Sequence, residues 1–197
     1  MKKHLFLDLG NVLLTVKKDI VIKKIAGLLN KDKSDVENAI DWDLEKAYET
    51  GAISTDQYIR QLNRATQVFD FENLCALWKN GFAPITNTIN LLPQLAKKNH
   101  LYLLSNTNKI HFTAIREAFD IFKDFEHLFL SYEMGHRKPD PVIYKKALAS
   151  VDAAPENSFF VDDLQENIAT AAKLGITAHQ YKNARSLQQF LNVHTLL

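Results

Sequence analysis

His4-Leu5-Phe6-Leu7-Asp8-Leu9-Gly10-Asn11 is the stretch from which the rest of the chain can be read. Three apolar residues run without a break into a single carboxylate, one more leucine follows, and Gly10-Asn11 ends the run. A short apolar run closed by turn residues predicts a buried strand over His4–Leu9. A strand apolar on both faces belongs to a parallel sheet covered by helices. In such sheets ligands bind in the crevice beyond the carboxyl ends of the strands, where Asp8 stands.

Toward the C-terminus the same kind of strand recurs in alternation with helices. Strands are expected at Leu101–Leu104, ending at Ser105, near Leu128–Leu130, at Phe159–Val161, ending at Asp162-Asp163, and at Ile176–Ala178. Helices are expected at Lys109–Phe119, Pro141–Ser150, Glu166–Leu174 and Ser186–Leu191. A further helical stretch, Ile85–Asn99, must kink or restart at Pro93. The fold class is therefore α/β, a doubly wound parallel sheet.

Between the first strand and this alternation the pattern changes. Apolar residues fall on single helical faces at Val21, Ile25, Leu28, Leu29; at Val36, Ile40, Leu44, Ala47; at Tyr58, Leu62, Ala65, Phe69; and at Phe71, Leu74, Trp78. This predicts a strand-free bundle of four helical pieces, with Ser34 and Thr55 as N-caps and Gly51 and Gly81 as stops. Segments Leu14–Lys18 and Phe82–Asn87 are the expected hinges. The division expected is a core of residues 1–14 and 88–197 with a helical cap of residues 15–87 inserted after the first strand.

Composition narrows the function classes. Of 197 residues, 46% are apolar and 24% charged, as in a globular protein. The formal charge of +1 gives no basic field for nucleic acid or a membrane surface. The single cysteine, Cys75, cannot form an internal disulfide, and its apolar flanks predict a buried thiol. No signal peptide or membrane-length apolar run is visible, so the expected compartment is the cytoplasm.

Three predicted strands end in polar residues: Asp8, Ser105-Asn106 and Asp162-Asp163. Lys138 lies in the loop before the helix that starts at Pro141. Alone, each has an ordinary structural reading: a turn aspartate, a turn cluster in which Asn108 caps the next helix, a surface lysine, a loop acidic pair. The shared placement at strand tips favours one site. Clustered carboxylates repel, and a hard divalent cation with oxygen ligands, Mg²⁺ above all, relieves that repulsion. One carboxylate left as nucleophile, with an ammonium and short polar donors, is equipment for phosphoryl transfer. The histidines His4, His100, His111, His127, His179 and His194 show no ligand spacing, and Trp42 and Trp78 are expected in the core.

In this order the residues resemble the four motifs of the haloacid dehalogenase superfamily: Asp8-Leu9-Gly10-Asn11-Val12, Leu104-Ser105-Asn106-Thr107-Asn108, Arg137-Lys138-Pro139, and Val161-Asp162-Asp163 with Asn167 a turn later. The wording is similar to the bacterial α-D-glucose-1-phosphate phosphatase group, close to the N-terminal phosphatase domain of epoxide hydrolases. The resemblance implies a Rossmann-like core with a C1-type helical cap. It implies a Mg²⁺-dependent phosphatase acting on a small phosphate ester, such as glucose 1-phosphate, through an aspartyl-phosphate. By the same resemblance Asp8 is the nucleophile. Ser105 and the Asn106 backbone hold the phosphate, and Lys138 neutralises nucleophile and phosphate. Asp8, the Gly10 carbonyl, Asp163 and Asp162 form the metal site, Asp162 either as ligand or by orienting Lys138. The chain departs from the pattern at Gly10, where most phosphatases of the superfamily carry a second aspartate as general acid. That gap suits a good leaving group such as a sugar 1-phosphate. Two other readings stand beside this one: a metal-independent 2-haloacid dehalogenase, which Asp162-Asp163 disfavours, and an inactive phosphosugar-binding protein.

Overall fold

The run that opens the chain forms β1 (Lys3–Leu7), whose three apolar residues are all buried. In the computed structural model, which describes residues 2–64 and 68–197, the chain continues through β2 (Leu14–Val16), α1 (Lys18–Leu29), α2 (Lys33–Asn38), α3 (Trp42–Glu49), α4 (Thr55–Leu62), α5 (Phe71–Lys79) and β3 (Phe82–Pro84). It then alternates: α6 (Thr86–Ile89), α7 (Leu92–Lys98), β4 (Asn99–Ser105), α8 (Lys109–Ala118), β5 (His127–Leu130), α9 (Ser131–Met134), α10 (Pro141–Ser150), β6 (Ser158–Asp162), α11 (Gln165–Lys173), β7 (Thr177–Gln180) and α12 (Ala184–Val193). One sheet has the order β5-β4-β1-β6-β7, with every pairing parallel. The chain leaves β1 toward β4 and β5, then returns to lay β6 and β7 on the other side. That reversal puts a crevice at the carboxyl end of β1.

Alternation along the strands loads both faces. Leu5, Leu7, Leu101, Leu103 and Val161 pack under Leu95, Phe112, Ile115, Leu187 and Leu191. Phe6, Tyr102, Leu104 and Phe160 pack under Ile143, Tyr144, Ala147 and Ala171 on the opposite side. Each strand thus sits between two apolar layers, as a parallel sheet requires.

The segments expected as hinges pair with each other: Leu14 opposes Pro84 and Val16 opposes Phe82 in an antiparallel ribbon. The helical block between them contains five helices among the described residues, not four. The expected Val36–Ala47 piece breaks at Asp41, whose carboxylate accepts from the N–H groups of Asp43 and Leu44 at 3.0 Å and starts α3 afresh. The caps also shift. Ser54, not Thr55, caps α4, in a reciprocal box with Gln57, and Asp32, not Ser34, precedes α2. Gly51 ends α3 at a φ of 68°, which glycine adopts freely. Ala65 lies outside the described residues. The chain restarts before Pro93, which occupies the first turn of α7.

The block is seated on the core through α5 and α8. Tyr48, Phe69, Leu74 and Cys75 form one cluster with Ile110 and Ala114. Cys75 is buried as expected, and burial pushes its thiol up to about 11. Beside this seat the His111 ring lies 3.8 Å from that of Trp78. Burial, aided by Lys18, pushes His111 down to about 3. Between an unfolded value of about 6.5 and that folded value, only the unfolded chain binds the proton, so stability falls as pH drops below about 6.5. From pH 7 to 5 the expected loss is about 2 kcal/mol. Urea denaturation of wild type and His111→Gln at both pH values reads it as a difference in slope, since His111→Gln removes this part of the acid loss.

Candidate active site

Three parallel strands deliver the site. Asp8 follows β1, Ser105 ends β4 and Asp162 ends β6, and β1 is hydrogen-bonded between the other two. Lys138 arrives from the loop before α10. Its ammonium, 1% exposed, lies 2.8 Å from Asp8 Oδ1 and 2.7 Å from Asp162 Oδ2. It also donates to the Leu104 carbonyl at 2.8 Å, so all three of its N–H bonds have acceptors. The lysine that would be a surface residue by itself is thus the buried counter-ion of two carboxylates.

Burial pushes the Asp8 carboxyl up, to about 7; Lys138 opposes that rise and Asp162 adds to it. Burial also disfavours the Lys138 charge, but Asp8 and Asp162 outweigh it and hold the ammonium above its ordinary value. Asp162 is fully buried and accepts from Lys138, from the Leu164 N–H at 2.8 Å and from the Asn167 amide at 2.9 and 3.0 Å. Asp163 is more open: among the described residues its Oδ2 accepts only from the Asn11 amide, at 3.0 Å. One oxygen from each of Asp8, Asp162 and Asp163 lies within 4.8 Å of the others. Three carboxylates against one ammonium leave two negative charges, which a hard divalent cation with oxygen ligands would balance.

Two expected residues behave differently from each other. Ser105 is buried at the strand tip, and among the described residues its hydroxyl makes only a 3.5 Å contact with the Asn106 carbonyl, which leaves it available to a ligand. The Asn106 side chain is committed: it donates to the Lys138 carbonyl at 2.8 Å and accepts from the Lys138 N–H at 2.7 Å. It holds the loop that carries the ammonium. Gly10 sits in the tight turn after Asp8, where the Leu13 and Leu14 N–H groups return to the Leu9 carbonyl.

Sequence reasoning assigned no role to Asn11 or Ser131. Asn11, at a φ of 54°, aims its amide at Asp163, a backbone state that asparagine tolerates better than most residues. The Ser131 hydroxyl accepts from the Thr107 N–H and donates to its carbonyl, both at 2.9 Å, which fixes the turn after Ser105. Local sequence signalled Asn11 only as a turn residue, and nothing signalled Ser131. Asn108 caps α8 as expected, accepting from the His111 N–H. Trp42 is not in the core: it is 58% exposed, with the Lys18 ammonium 3.7 Å from its ring centre. Trp78 is half-buried against Phe82 and His111.

A parallel sheet with an ammonium clasped between two strand-tip carboxylates, and a third carboxylate beside them, defines a hydrolase of the haloacid dehalogenase type. A profile of haloacid dehalogenase-like hydrolases matches residues 2–175, and the chain belongs to that family. It is 26% identical to a D-ribitol-5-phosphate phosphatase of Bacteroides thetaiotaomicron, over 98% of each chain. It is 27% identical to a sesquiterpene phosphatase of Aspergillus oryzae, over 88% of this chain and 87% of that one. Among solved structures it resembles a haloacid dehalogenase family enzyme of B. thetaiotaomicron in complex with magnesium and inorganic phosphate, with a TM-score of 0.83 and 28% identity over 93% and 96% of the two chains. No helix among the described residues is long and apolar enough to cross a membrane.

Proposed function

We propose that the protein is a magnesium-dependent phosphatase that hydrolyses a small phosphate ester through an aspartyl-phosphate on Asp8. The observation that carries this reading is the Lys138 ammonium held between Asp8 and Asp162, with Asp163 close by. The donor set fits Mg²⁺: hard oxygens and an excess of negative charge. Asp8, Asp163 and the Gly10 carbonyl would hold it, because Asp162 is already committed to Lys138, Leu164 and Asn167. When bound, the ion screens the carboxylates from the incoming phosphate and polarises its oxygens. Asp8 attacks phosphorus as the ester oxygen departs, and water then attacks the same phosphorus to free Asp8 and phosphate. Lys138 favours the ionised form of the buried Asp8 against the rise that burial imposes, the Ser105 hydroxyl and the Asn106 N–H bind phosphate oxygens, and the Asn106 side chain holds Lys138 in place. Residues 15–87 act as a cap over this core of residues 1–14 and 88–197.

Without an acid at Gly10 the departing oxygen needs to be a good leaving group. Two kinds of ester answer that: a sugar 1-phosphate such as glucose 1-phosphate, and an ester of an acidic apolar hydroxyl. The test of the core reading is phosphate release from phenyl phosphate with Mg²⁺, its loss after exhaustive chelation, and its return on adding Mg²⁺. Undiminished turnover after chelation, or halide release from a 2-haloacid, would favour the dehalogenase reading.

A further inference from the structure

The helical block contains a cavity of about 640 Å³, within the range of small-molecule sites. Its walls bring together apolar residues that do not finish packing. Ile25, Leu29, Val36, Ile40 and Leu44 all line it and all remain only half-buried, and α2 buries none of its residues. Helix faces with this apolar spacing ordinarily close on one another. Here they face a shared space.

The polar groups of the lining are of two sorts. Lys31, Asp35, Asp41, Lys46, Gln61 and Arg64 are exposed at its rim. Those further in are engaged with each other. Tyr58 donates to Glu45, Arg137 Nε donates to Glu49 at 2.9 Å, and Lys18 lies over Trp42. A sugar body placed here would lose water from its hydroxyls and meet methyl groups in return, and each unmet hydroxyl is costly. Arg137, which lines the cavity, comes from the core and directly precedes Lys138, so the cavity wall and the loop that delivers the lysine to Asp8 share one short segment of chain.

We propose that this cavity, which has room for more than one ring, receives the organic body of the substrate and that the body is apolar and aryl-like. The inference rests on the phosphatase reading and narrows it, choosing the apolar ester over the sugar 1-phosphate. An aryl ester also answers the gap at Gly10. The Asp8–phosphorus bond forms as the phosphorus–oxygen bond breaks, and the aryloxide leaves with the electron pair and takes its proton from water. Water then attacks phosphorus, losing a proton to solvent, as the Asp8–phosphorus bond breaks and returns the electron pair to the carboxylate, and the products are the phenol and inorganic phosphate.

The experiment compares kcat/KM for 2-naphthyl phosphate, phenyl phosphate and glucose 1-phosphate with Mg²⁺, in wild type, Ile40→Gln and Trp42→Ala. Naphthol and phenol are similar leaving groups, so their ratio reads the body alone. Burying the second ring should favour the naphthyl ester about tenfold or more. Each variant should shrink that ratio severalfold, with thermal denaturation confirming that it folds. Binding of 2-naphthylmethylphosphonate, followed by tryptophan fluorescence, gives a readout without turnover. Saturable binding weakened by Ile40→Gln places the apolar body in the cavity independently of turnover. A naphthyl-to-phenyl ratio near one, or glucose 1-phosphate outpacing both, overturns the inference and leaves the phosphatase reading standing. No hydrolysis of any ester sinks the phosphatase reading, and the absence of saturable phosphonate binding then sinks the cavity's role as well.

Discussion

Asp8→Asn is expected to lower turnover of an aryl phosphate by more than about a thousandfold while leaving the fold intact. An amide oxygen is not a competent nucleophile toward phosphorus. The replacement keeps the volume, and its carbonyl can still accept from the Leu9 N–H, which Asp8 Oδ1 does at 2.7 Å. Lys138 retains Asp162 and the Leu104 carbonyl. Burial disfavours the ionised Asp8, and Asp162 repels it, so removing that charge relieves one strain while weakening one ion pair. Thermal denaturation should therefore shift by only a few degrees. Phosphate release within tenfold of wild type would show that Asp8 is not the nucleophile.

Gly10→Asp is expected to change the dependence of rate on leaving group, raising the slow alkyl esters by about a hundredfold or more and aryl esters far less. A general acid matters most where the departing oxygen is most basic. The backbone accommodates the change: Gly10 is not among the glycines with positive φ, and a Cβ there meets only Val16 Cγ2, at 3.5 Å. The measurement is single-turnover phosphate release across phenyl, sugar 1-phosphate and primary alkyl esters. A shallow dependence already present in wild type would mean that another group donates the proton. Equal acceleration of every ester by Gly10→Asp would show that the carboxylate acts through the metal site instead.

The sheet and its tips were legible because the signals are local. Leu5–Leu7 running into Asp8, Leu101–Leu104 into Ser105, and Phe159–Val161 into Asp162 each carry strand type and polar tip in one short run. Pro141–Ser150 was readable to the residue because proline and a polar cap mark its start. The helical block was read less well, for one physical reason. Val36, Ile40 and Leu44 hold a single period across the break at Asp41, since α2 and α3 turn apolar faces toward the same cavity. The break itself is made by the side chain of Asp41, a weaker signal than the run it interrupts. The β2–β3 ribbon is three residues a side, and exists because the chain enters and leaves the block at one place. Trp42 was expected in the core on its residue type, yet it stands exposed beneath the ammonium of Lys18. At the site, residue types and strand ends were visible, but their wiring was not. The Asn106 clamp on Lys138 and the Asn11 contact with Asp163 join residues far apart in sequence.

The central claim is that a phosphoryl group passes through Asp8, and borohydride trapping tests it most directly. An acyl phosphate is reduced to an alcohol where a free carboxylate is not, so quenching turnover into borohydride converts a phosphorylated aspartate to homoserine. With phenyl phosphate and Mg²⁺ present, peptide mass spectrometry should find homoserine at position 8, and only when both were supplied. Homoserine at another carboxylate, or an unmodified Asp8 in protein quenched while phosphate is being released, would contradict the account.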